Sequence, residues 1–251
     1  MNAPKNHHEV NAQEKAYEFV KEGILTLSFQ PNAHLSAVSL AKALGMSRTP
    51  IREALSRLEQ EGLVLKGSNN GFYVRAIRLK EAIDTYRVRE ALEVEAALEA
   101  LPLIDNQFLE KLGTLLEESK ALIDSPDDGQ FLVINRKFHK QIQDATKNEV
   151  FSLLMGPIHD RVRLIGAILI RKYASRKKEV YNENKDIYLA LVKRDPVALE
   201  SAVRIHVRKA REHAAKLLIE DGEQLVLGAN QPSRMIDISE SQIKKETLQW
   251  T

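Results

Sequence analysis

The fold of the first part of this chain is decided by residues 35–74, LSAVSLAKALGMSRTPIREALSRLEQEGLVLKGSNNGFYV. Leu40, Ala41 and Leu44 form the apolar face of a short helix, and Gly45 predicts its end because glycine adopts the left-handed conformation without steric cost. A second amphipathic helix is predicted after it, with apolar residues at helical spacing: Ile51, Ala54, Leu55 and Leu58.

The start of this second helix carries polar hydrogen-bond donors. Ser47 is predicted to be the N-cap, and Pro50 falls in the first turn, where its missing N–H has no cost. Together with Ser47, the side chains of Arg48, Thr49 and Arg52 are placed to contact phosphates and base edges. The pattern predicts a helix-turn-helix whose second helix enters the DNA major groove. The alternative is a helix-turn-helix used only for packing.

A β-hairpin is predicted directly after the second helix. Residues 63–65 and 72–74 are apolar strand candidates, and the polar stretch 67–71 between them is rich in Gly and Asn. Such a hairpin is a wing, and we expect Asn70 and Gly71 at its tip to contact an adjacent minor groove or a phosphate.

Residues 11–76 resemble the winged-helix domain of the GntR family of bacterial transcription regulators. The likeness is carried by LGMSRTPIREAL at 44–55 and by LEQEGL at 58–63. Two positions depart from the family pattern, since Asn32 stands where glycine is usual and Ala37 where an acidic residue is common. Asn tolerates positive φ in a turn, and Ala37 lies away from the surface that reads DNA. The resemblance implies sequence-specific DNA binding.

Composition excludes several classes of protein. The chain has 251 residues, 43% of them hydrophobic, a formal net charge of +2 and no cysteine. No apolar run reaches the roughly 20 residues that a bilayer span requires, and the first ten residues lack the apolar core of a secretory signal. Without cysteine, disulfides and thiolate metal sites are excluded. We therefore expect a cytoplasmic protein without membrane contact.

The charge distribution favours a site-specific regulator. Residues 1–78 contain ten Lys and Arg against seven Asp and Glu, which is a surplus of three positive charges. A weak overall charge with a local basic surface suits specific recognition better than nonspecific coating of DNA. An architectural or nonspecific DNA-binding protein without any effector remains the alternative.

Beyond residue 78 the sequence changes to a series of amphipathic helices. Asp105 and Asp195 are predicted N-caps, Pro196 follows the second of them, and Pro157 is expected to kink its helix. The predicted helices cover 79–100, 105–123, 128–146, 148–173, 176–193 and 195–220.

The predicted protein is mostly α, with an N-terminal winged helix-turn-helix and a C-terminal all-α antiparallel helical bundle. The predicted boundaries are 1–78 for the DNA-binding domain, 79–221 for the bundle and 222–251 for a polar C-terminal tail.

The bundle resembles the FCD domain, the effector-binding domain of the FadR-type branch of GntR regulators. YRVREALE at 86–93, NRKFH at 135–139 and residues 195–206 carry the likeness. It implies a homodimer that binds a pseudo-palindromic double-stranded DNA operator, and repression relieved by a small-molecule effector.

Many members of this branch hold a divalent metal in the bundle with one Asp and three His. By the motifs, these four ligands fall on Asn135, His139, Asn184 and His206. Two of the four are therefore replaced by neutral amides, which are weak ligands. Zinc, nickel or manganese could still bind through His139 and His206, but we expect an effector site with little or no tightly held metal.

The same residues and one arginine are the candidate effector site. Arg89 matches a family arginine that faces the pocket, where it could bind a carboxylate with two hydrogen bonds. The alternative for Arg89 is an ion pair with Glu90 or Glu93, and the alternative for the two histidines is a polar core without ligand. Arg161 and Arg163 are further candidates, of which the sequence does not say which faces inward.

An enzyme is not expected. The chain has no Gly-rich phosphate loop, no nucleophile elbow and no H-E-x-x-H pair.

Overall fold

The computed structural model describes residues 7–67, 71–220 and 224–225. These residues form two compact units, one extending to Ile77 and including Gln224 and Leu225, the other beginning at Arg78. The division lies beside the predicted boundary between 78 and 79. Apart from 224–225, the predicted tail at 222–251 lies outside the described residues.

The first unit is a winged helix-turn-helix, so this part of the predicted fold class is confirmed. The elements in chain order are α1 (His7–Leu25), β1 (His34–Leu35), α2 (Ala37–Leu44), α3 (Arg48–Gln60), β2 (Val64–Lys66) and β3 (Phe72–Val74). The three strands form an antiparallel sheet in the order β1-β3-β2, with Leu65 opposite Tyr73 and Leu35 opposite Phe72.

Two of these elements, α1 and β1, are absent from the sequence-based prediction. The apolar residues of α1 do follow helical spacing, and Ala16, Phe19, Val20 and Ile24 are all buried. The periodicity of α1 was therefore available in the sequence. By contrast, β1 has two residues, which is too short to show any alternation.

The turns around the second helix have the predicted backbone. Gly45 ends α2 with φ +62°, and the N–H of Met46 donates to the carbonyl of Ala41 at 2.9 Å. Gly62 follows α3 with φ +76°, and Asn32 adopts φ +66° where glycine is usual in the family. The predicted apolar face of α3 is confirmed, because its four residues are completely buried.

The second unit consists of six helices, and each lies within three residues of its predicted limits. They are α4 (Leu79–Ala100), α5 (Asn106–Ala121), α6 (Asp128–Ala145), α7 (Glu149–Lys172), α8 (Arg176–Lys193) and α9 (Pro196–Glu220). Two further short strands, β4 (Ile77–Arg78), which begins at the last residue of the first unit, and β5 (Gln224–Leu225), which is counted with that unit, pair with each other. The apolar core of the bundle includes Phe138, Ile187, Leu191, Leu199 and Val203.

Pro157 lies inside α7, and the helix continues through it. A residue with a Cβ is disfavoured in the helical conformation directly before a proline. The residue at that position is Gly156, which has no Cβ, so the clash between a preceding Cβ and the proline ring does not arise. The predicted kink stays a prediction.

Among the described residues, every helix is too short or too polar to span a lipid bilayer.

The cap of α9 provides a test of the bundle's local stability. Asp195 Oδ1 accepts hydrogen bonds from the N–H groups of Val197 and Ala198, both at 3.0 Å. We expect Asp195→Ala to lower the free energy of unfolding by about 0.5–2 kcal/mol because these donors lose their acceptor. Asp195→Asn keeps an acceptor oxygen and should retain most of that stability. Chemical denaturation of the three proteins measures it, and equal losses in both variants would contradict the capping role.

Candidate functional site

The start of α3 is an exposed polar surface. Ser47, Arg48, Thr49 and Arg52 are all exposed, as the sequence predicts. Ser47 occupies the N-cap position, as predicted, and its side chain makes no capping hydrogen bond with the first turn. The N–H groups of that turn therefore keep their capacity to bind an anion such as a phosphate.

The remaining arginine of α3, Arg57, contacts α1. It donates to Glu14 Oε2 at 2.8 Å, and its guanidinium carbon lies 3.6 Å from the centre of the Tyr17 ring. Tyr17 in turn donates to the carboxylate of Glu61. These contacts join α1 to α3 and leave Arg48 and Arg52 on another face of the helix.

The predicted wing is the hairpin of β2 and β3. The N–H of Gly67 donates to the carbonyl of Gly71 at 2.8 Å across the turn. Asn70, the other predicted tip residue, lies outside the described residues. The contact of this hairpin with DNA stays a prediction.

The second unit contains a cavity of about 630 Å³, a volume that includes its mouth. Residues from α4, α6, α7, α8 and α9 line it. Among the predicted effector residues, four line this cavity directly: Arg89, Asn135, His139 and His206. The fifth, Asn184, reaches it through Asn135, to whose Oδ1 it donates at 2.7 Å. Arg163 also lines the cavity, whereas Arg161 forms an ion pair in which its Nη1 lies 3.7 Å from Glu81 Oε1.

Arg89 forms the ion pair with Glu93 that the sequence offered as one alternative, and its contact with a carboxylate ligand stays a prediction. Its Nε donates to Glu93 Oε1 at 2.7 Å and its Nη2 to Glu93 Oε2 at 3.3 Å, while the residue also lines the cavity. Burial alone would raise the pKa of Glu93, but Arg89 and His139 together lower it to about 2. Glu93 is therefore ionised. Glu90 instead accepts from Arg204 and Arg208.

The contacts of His206 determine its tautomer. Its Nε2 lies 3.0 Å from Arg89 Nη2, and its Nδ1 lies 2.9 Å from Glu183 Oε2. Because a guanidinium can only donate, Nε2 accepts, and the proton on Nδ1 is donated to Glu183. Burial lowers the pKa of His206, which agrees with a neutral ring. Arg176 holds the same Glu183 carboxylate at 2.9 and 3.2 Å.

His139 stacks on His206 with 4.7 Å between the ring centres. Its Nδ1 faces Glu93 Oε2 at 3.5 Å, and its buried Nε2 has no hydrogen-bond partner in the described part of the chain. Burial lowers the pKa of His139 as well. One buried ring nitrogen therefore remains to hydrogen-bond a ligand.

The sequence-based prediction missed several members of this network. Glu93 had been considered only as an ion-pair alternative, and its spacing of four residues from Arg89 was the available signal. Glu183, Arg176 and His159 were not identified, because they contact the site through the packing of separate helices. His159 Nε2 lies 3.2 Å from Gln143 Nε2 and 4.0 Å from Glu93 Oε1.

The donor set does not fit the divalent metal that the family resemblance implies. Glu93, His139 and His206 do place one ligand atom each within 4.8 Å of one another. However, Arg89 donates to both oxygens of Glu93 and to the Nε2 lone pair of His206, so these atoms are already occupied by a cation. A divalent ion there would face the guanidinium charge at contact distance.

Two family models match the chain. The FCD domain matches residues 84–209, and the model described as bacterial regulatory proteins of the gntR family matches residues 12–74. Both agree with the order of the two structural units.

Characterised and uncharacterised regulators resemble the chain over most of its length. It is 29% identical to the HTH-type transcriptional regulator YdhC of Bacillus subtilis, covering 83% of this chain and 92% of YdhC. It is 24% identical to the HTH-type transcriptional repressor RspR of Escherichia coli, covering 84% and 92%. The solved structure of Escherichia coli McbR/YncC has a TM-score of 0.71 at 21% identity, covering 84% of this chain and 98% of that one, which shows a shared fold.

Removing Arg89 is expected to create a metal site. In Arg89→Met, Glu93 and His206 lose their cation, and their freed atoms form a three-ligand set with His139. We expect this variant, refolded with Zn²⁺, to bind the ion and to gain thermal stability from it, while the wild type does neither. The double variant Arg89→Met/Glu93→Gln lacks the carboxylate and serves as the control that gains no metal. Near-stoichiometric metal in the wild type, measured by elemental analysis, would contradict this assignment.

Buried neutral histidines predict acid sensitivity. Burial lowers the pKa of His159 from 6.5 to about 4. Between these values the folded state binds fewer protons than the unfolded state, so its stability falls as the pH falls from 6.5 towards 4. His159→Gln removes this dependence. Between pH 7.5 and 5.5 we expect the free energy of unfolding to fall by about 1 kcal/mol more in the wild type than in the variant. Equal losses would show that His159 does not contribute.

Proposed function

The chain belongs to the GntR family of bacterial regulatory proteins and carries a C-terminal FCD domain, and we propose that it is a repressor released from its operator by a small organic carboxylate. It is a helix-turn-helix transcriptional regulator and not an enzyme. The observation that carries the proposal is the cavity, which Arg89 lines together with three further predicted effector residues, Asn135, His139 and His206.

DNA recognition is assigned to the start of α3. Arg48 and Arg52 are one helical turn apart and exposed, and neither makes an ion pair with another residue of the described ranges. Arginine pairs well with guanine edges in the major groove, and the uncapped first turn of α3 suits a phosphate. The winged hairpin and its tip residues Asn70 and Gly71 add contacts to the DNA backbone or minor groove.

The functional form is a homodimer on a pseudo-palindromic operator, acting in the bacterial cytoplasm. Two-fold symmetry in a regulator matches two-fold symmetry in its site, because each subunit reads one half-site. A single α3 contacts too few base pairs to specify one site in a genome. The α3 helices of the two subunits together contact more base pairs.

Effector and operator are coupled through the protein. If the carboxylate binds better to the DNA-free protein, then bound carboxylate weakens the affinity of the protein for its operator. Bound operator weakens the affinity of the protein for the carboxylate by the same factor. Relief of repression is favoured over activation by the likeness to RspR, a protein described as a repressor.

The competing function is nonspecific or architectural DNA binding without an effector. The two are separated by measuring affinity for operator and for random DNA over a range of salt concentrations. Contacts to phosphates weaken steeply with salt for both DNAs, while contacts to bases maintain a preference for the operator. Equal affinities at every salt concentration would favour the nonspecific function.

Replacing Arg48 tests the recognition surface. We expect Arg48→Ala to weaken binding to the operator by about 1–3 kcal/mol, because a base contact is lost, and to weaken binding to random DNA much less. The control is Lys120→Ala, which removes an equal charge from an exposed position of α5 and should leave both affinities unchanged. Fluorescence anisotropy at fixed salt measures them. Unchanged operator affinity in Arg48→Ala would show that α3 does not read DNA through this residue.

A further inference from the structure

Four exposed residues of α3 lie on the side of the helix that faces away from its buried residues. At about 3.6 residues per turn, Thr49 and Ser56 lie directly opposite the buried residues. Arg52 lies on one side of these two residues and Glu53 lies on the other. We call this set the outer face of α3: Thr49, Arg52, Glu53 and Ser56. It contains one arginine and one carboxylate.

Glu53 differs from the other residues of the outer face because its charge has the same sign as that of DNA. Its side chain is exposed, and among the described residues it forms neither an ion pair nor a side-chain hydrogen bond. A carboxylate that enters a DNA groove loses water and approaches the phosphates, and both changes are unfavourable. Glu53 therefore needs a compensating contact if α3 lies in the major groove.

The arginine that could neutralise Glu53 is held by α1 and by the end of its own helix. Arg57 follows Glu53 by four residues, which is the spacing of a stabilising ion pair on a helix. Its Nη1 instead donates to Glu14 Oε2 at 2.8 Å, and its guanidinium carbon lies 3.6 Å from the centre of the Tyr17 ring. Its Nε lies 3.4 Å from Glu61 Oε1. The carboxylate of Glu53 is therefore available to accept hydrogen bonds from DNA.

The major-groove edges of the bases restrict where a carboxylate can bind. Only the amino groups of cytosine and adenine donate hydrogen bonds there. In an A·T pair the amino group lies between two acceptors, N7 of adenine and O4 of thymine, which repel a carboxylate. In a G·C pair the amino group of cytosine has an acceptor on one side only, which is O6 of guanine. Cytosine is therefore the base that suits Glu53 best.

This inference rests on the proposed function, in which α3 contacts the operator. We propose that Glu53 is a specificity-determining residue that accepts a hydrogen bond from the N4 amino group of one cytosine in each half-site. At any other base the carboxylate is repelled without compensation. The positive charges of Arg48 and Arg52 attract α3 to DNA of any sequence, and Glu53 makes tight binding depend on one base pair.

The first experiment is an in vitro selection from a random duplex library with the full-length protein. We expect one cytosine of each selected half-site to depend on Glu53. In Glu53→Ala this position should accept any base, because no acceptor remains. In Glu53→Gln it should change to adenine, because an amide pairs with N6 and N7 of adenine. Glu118→Gln removes the same charge from an exposed position of α5 and should leave the selected sequence unchanged.

The second experiment measures affinities by fluorescence anisotropy at fixed salt. Replacing the selected C·G pair by T·A should weaken the wild type at least about tenfold and Glu53→Ala less than about twofold. The affinity of Glu53→Ala for random DNA should rise about twofold or more, because a negative charge beside the phosphates is removed. An unchanged melting temperature of this variant, expected for an exposed residue, shows that it is folded.

The outcomes separate this inference from the proposed function. The same selected sequence for the wild type and both Glu53 variants would overturn the role of Glu53 and leave DNA recognition by Arg48 and Arg52 standing. Equal weakening of Glu53→Ala on operator and random DNA would also overturn it, since loss of a structural contact would affect both. A dependence on adenine in the wild type would overturn the choice of base. No selected sequence at all would reject the site-specific regulator and this inference together.

Discussion

The buried guanidinium of Arg89 is the constraint on which the second unit depends. A charge removed from water is stable only if it is paired and hydrogen-bonded. Here Glu93 neutralises it and His206 accepts a hydrogen bond from its Nη2. Because His206 must accept, its other nitrogen must donate to Glu183, which in turn needs Arg176 as its partner. One buried arginine thus fixes the protonation state of a network that joins α4, α8 and α9.

The same arginine is the reason why the donor set does not suit a divalent ion. Where a divalent ion would need free lone pairs on Glu93 and His206, the guanidinium already occupies them. The amides of Asn135 and Asn184, which the resemblance places where the family has an acidic and an imidazole ligand, hydrogen-bond each other. A fixed cation in place of an exchangeable one would make anion binding independent of metal supply. It also limits the ligand to what a planar, donating group can hold.

In the first unit, the faces of α3 have different contacts. Ile51, Leu55 and Leu58 of α3 are buried, and Arg57 joins α3 to α1 through Glu14 and Tyr17. Rigid anchoring of these faces leaves the exposed arginines in a fixed orientation. Recognition of base edges requires this, since a bidentate contact tolerates little displacement.

The sequence by itself determined the elements and the family. Helical spacing, N-caps at Asp105 and Asp195, and the glycine at 45 are local signals, so the six bundle helices and the helix-turn-helix could be predicted closely. The motif around Arg48 and Arg52 likewise predicted which face of α3 is exposed. These features depend on residues within one or two helical turns of each other, and the spacing of such residues can be read from the sequence.

Tertiary structure alone decided which chemistry the cavity holds. Glu93 and His206 are 113 positions apart and Glu183 is separated from Arg89 by most of the bundle, so no spacing rule links them. Whether Arg89 formed an ion pair or lined the pocket could not be chosen from the sequence, and the packed structure shows the ion pair with Glu93 together with a place in the cavity lining.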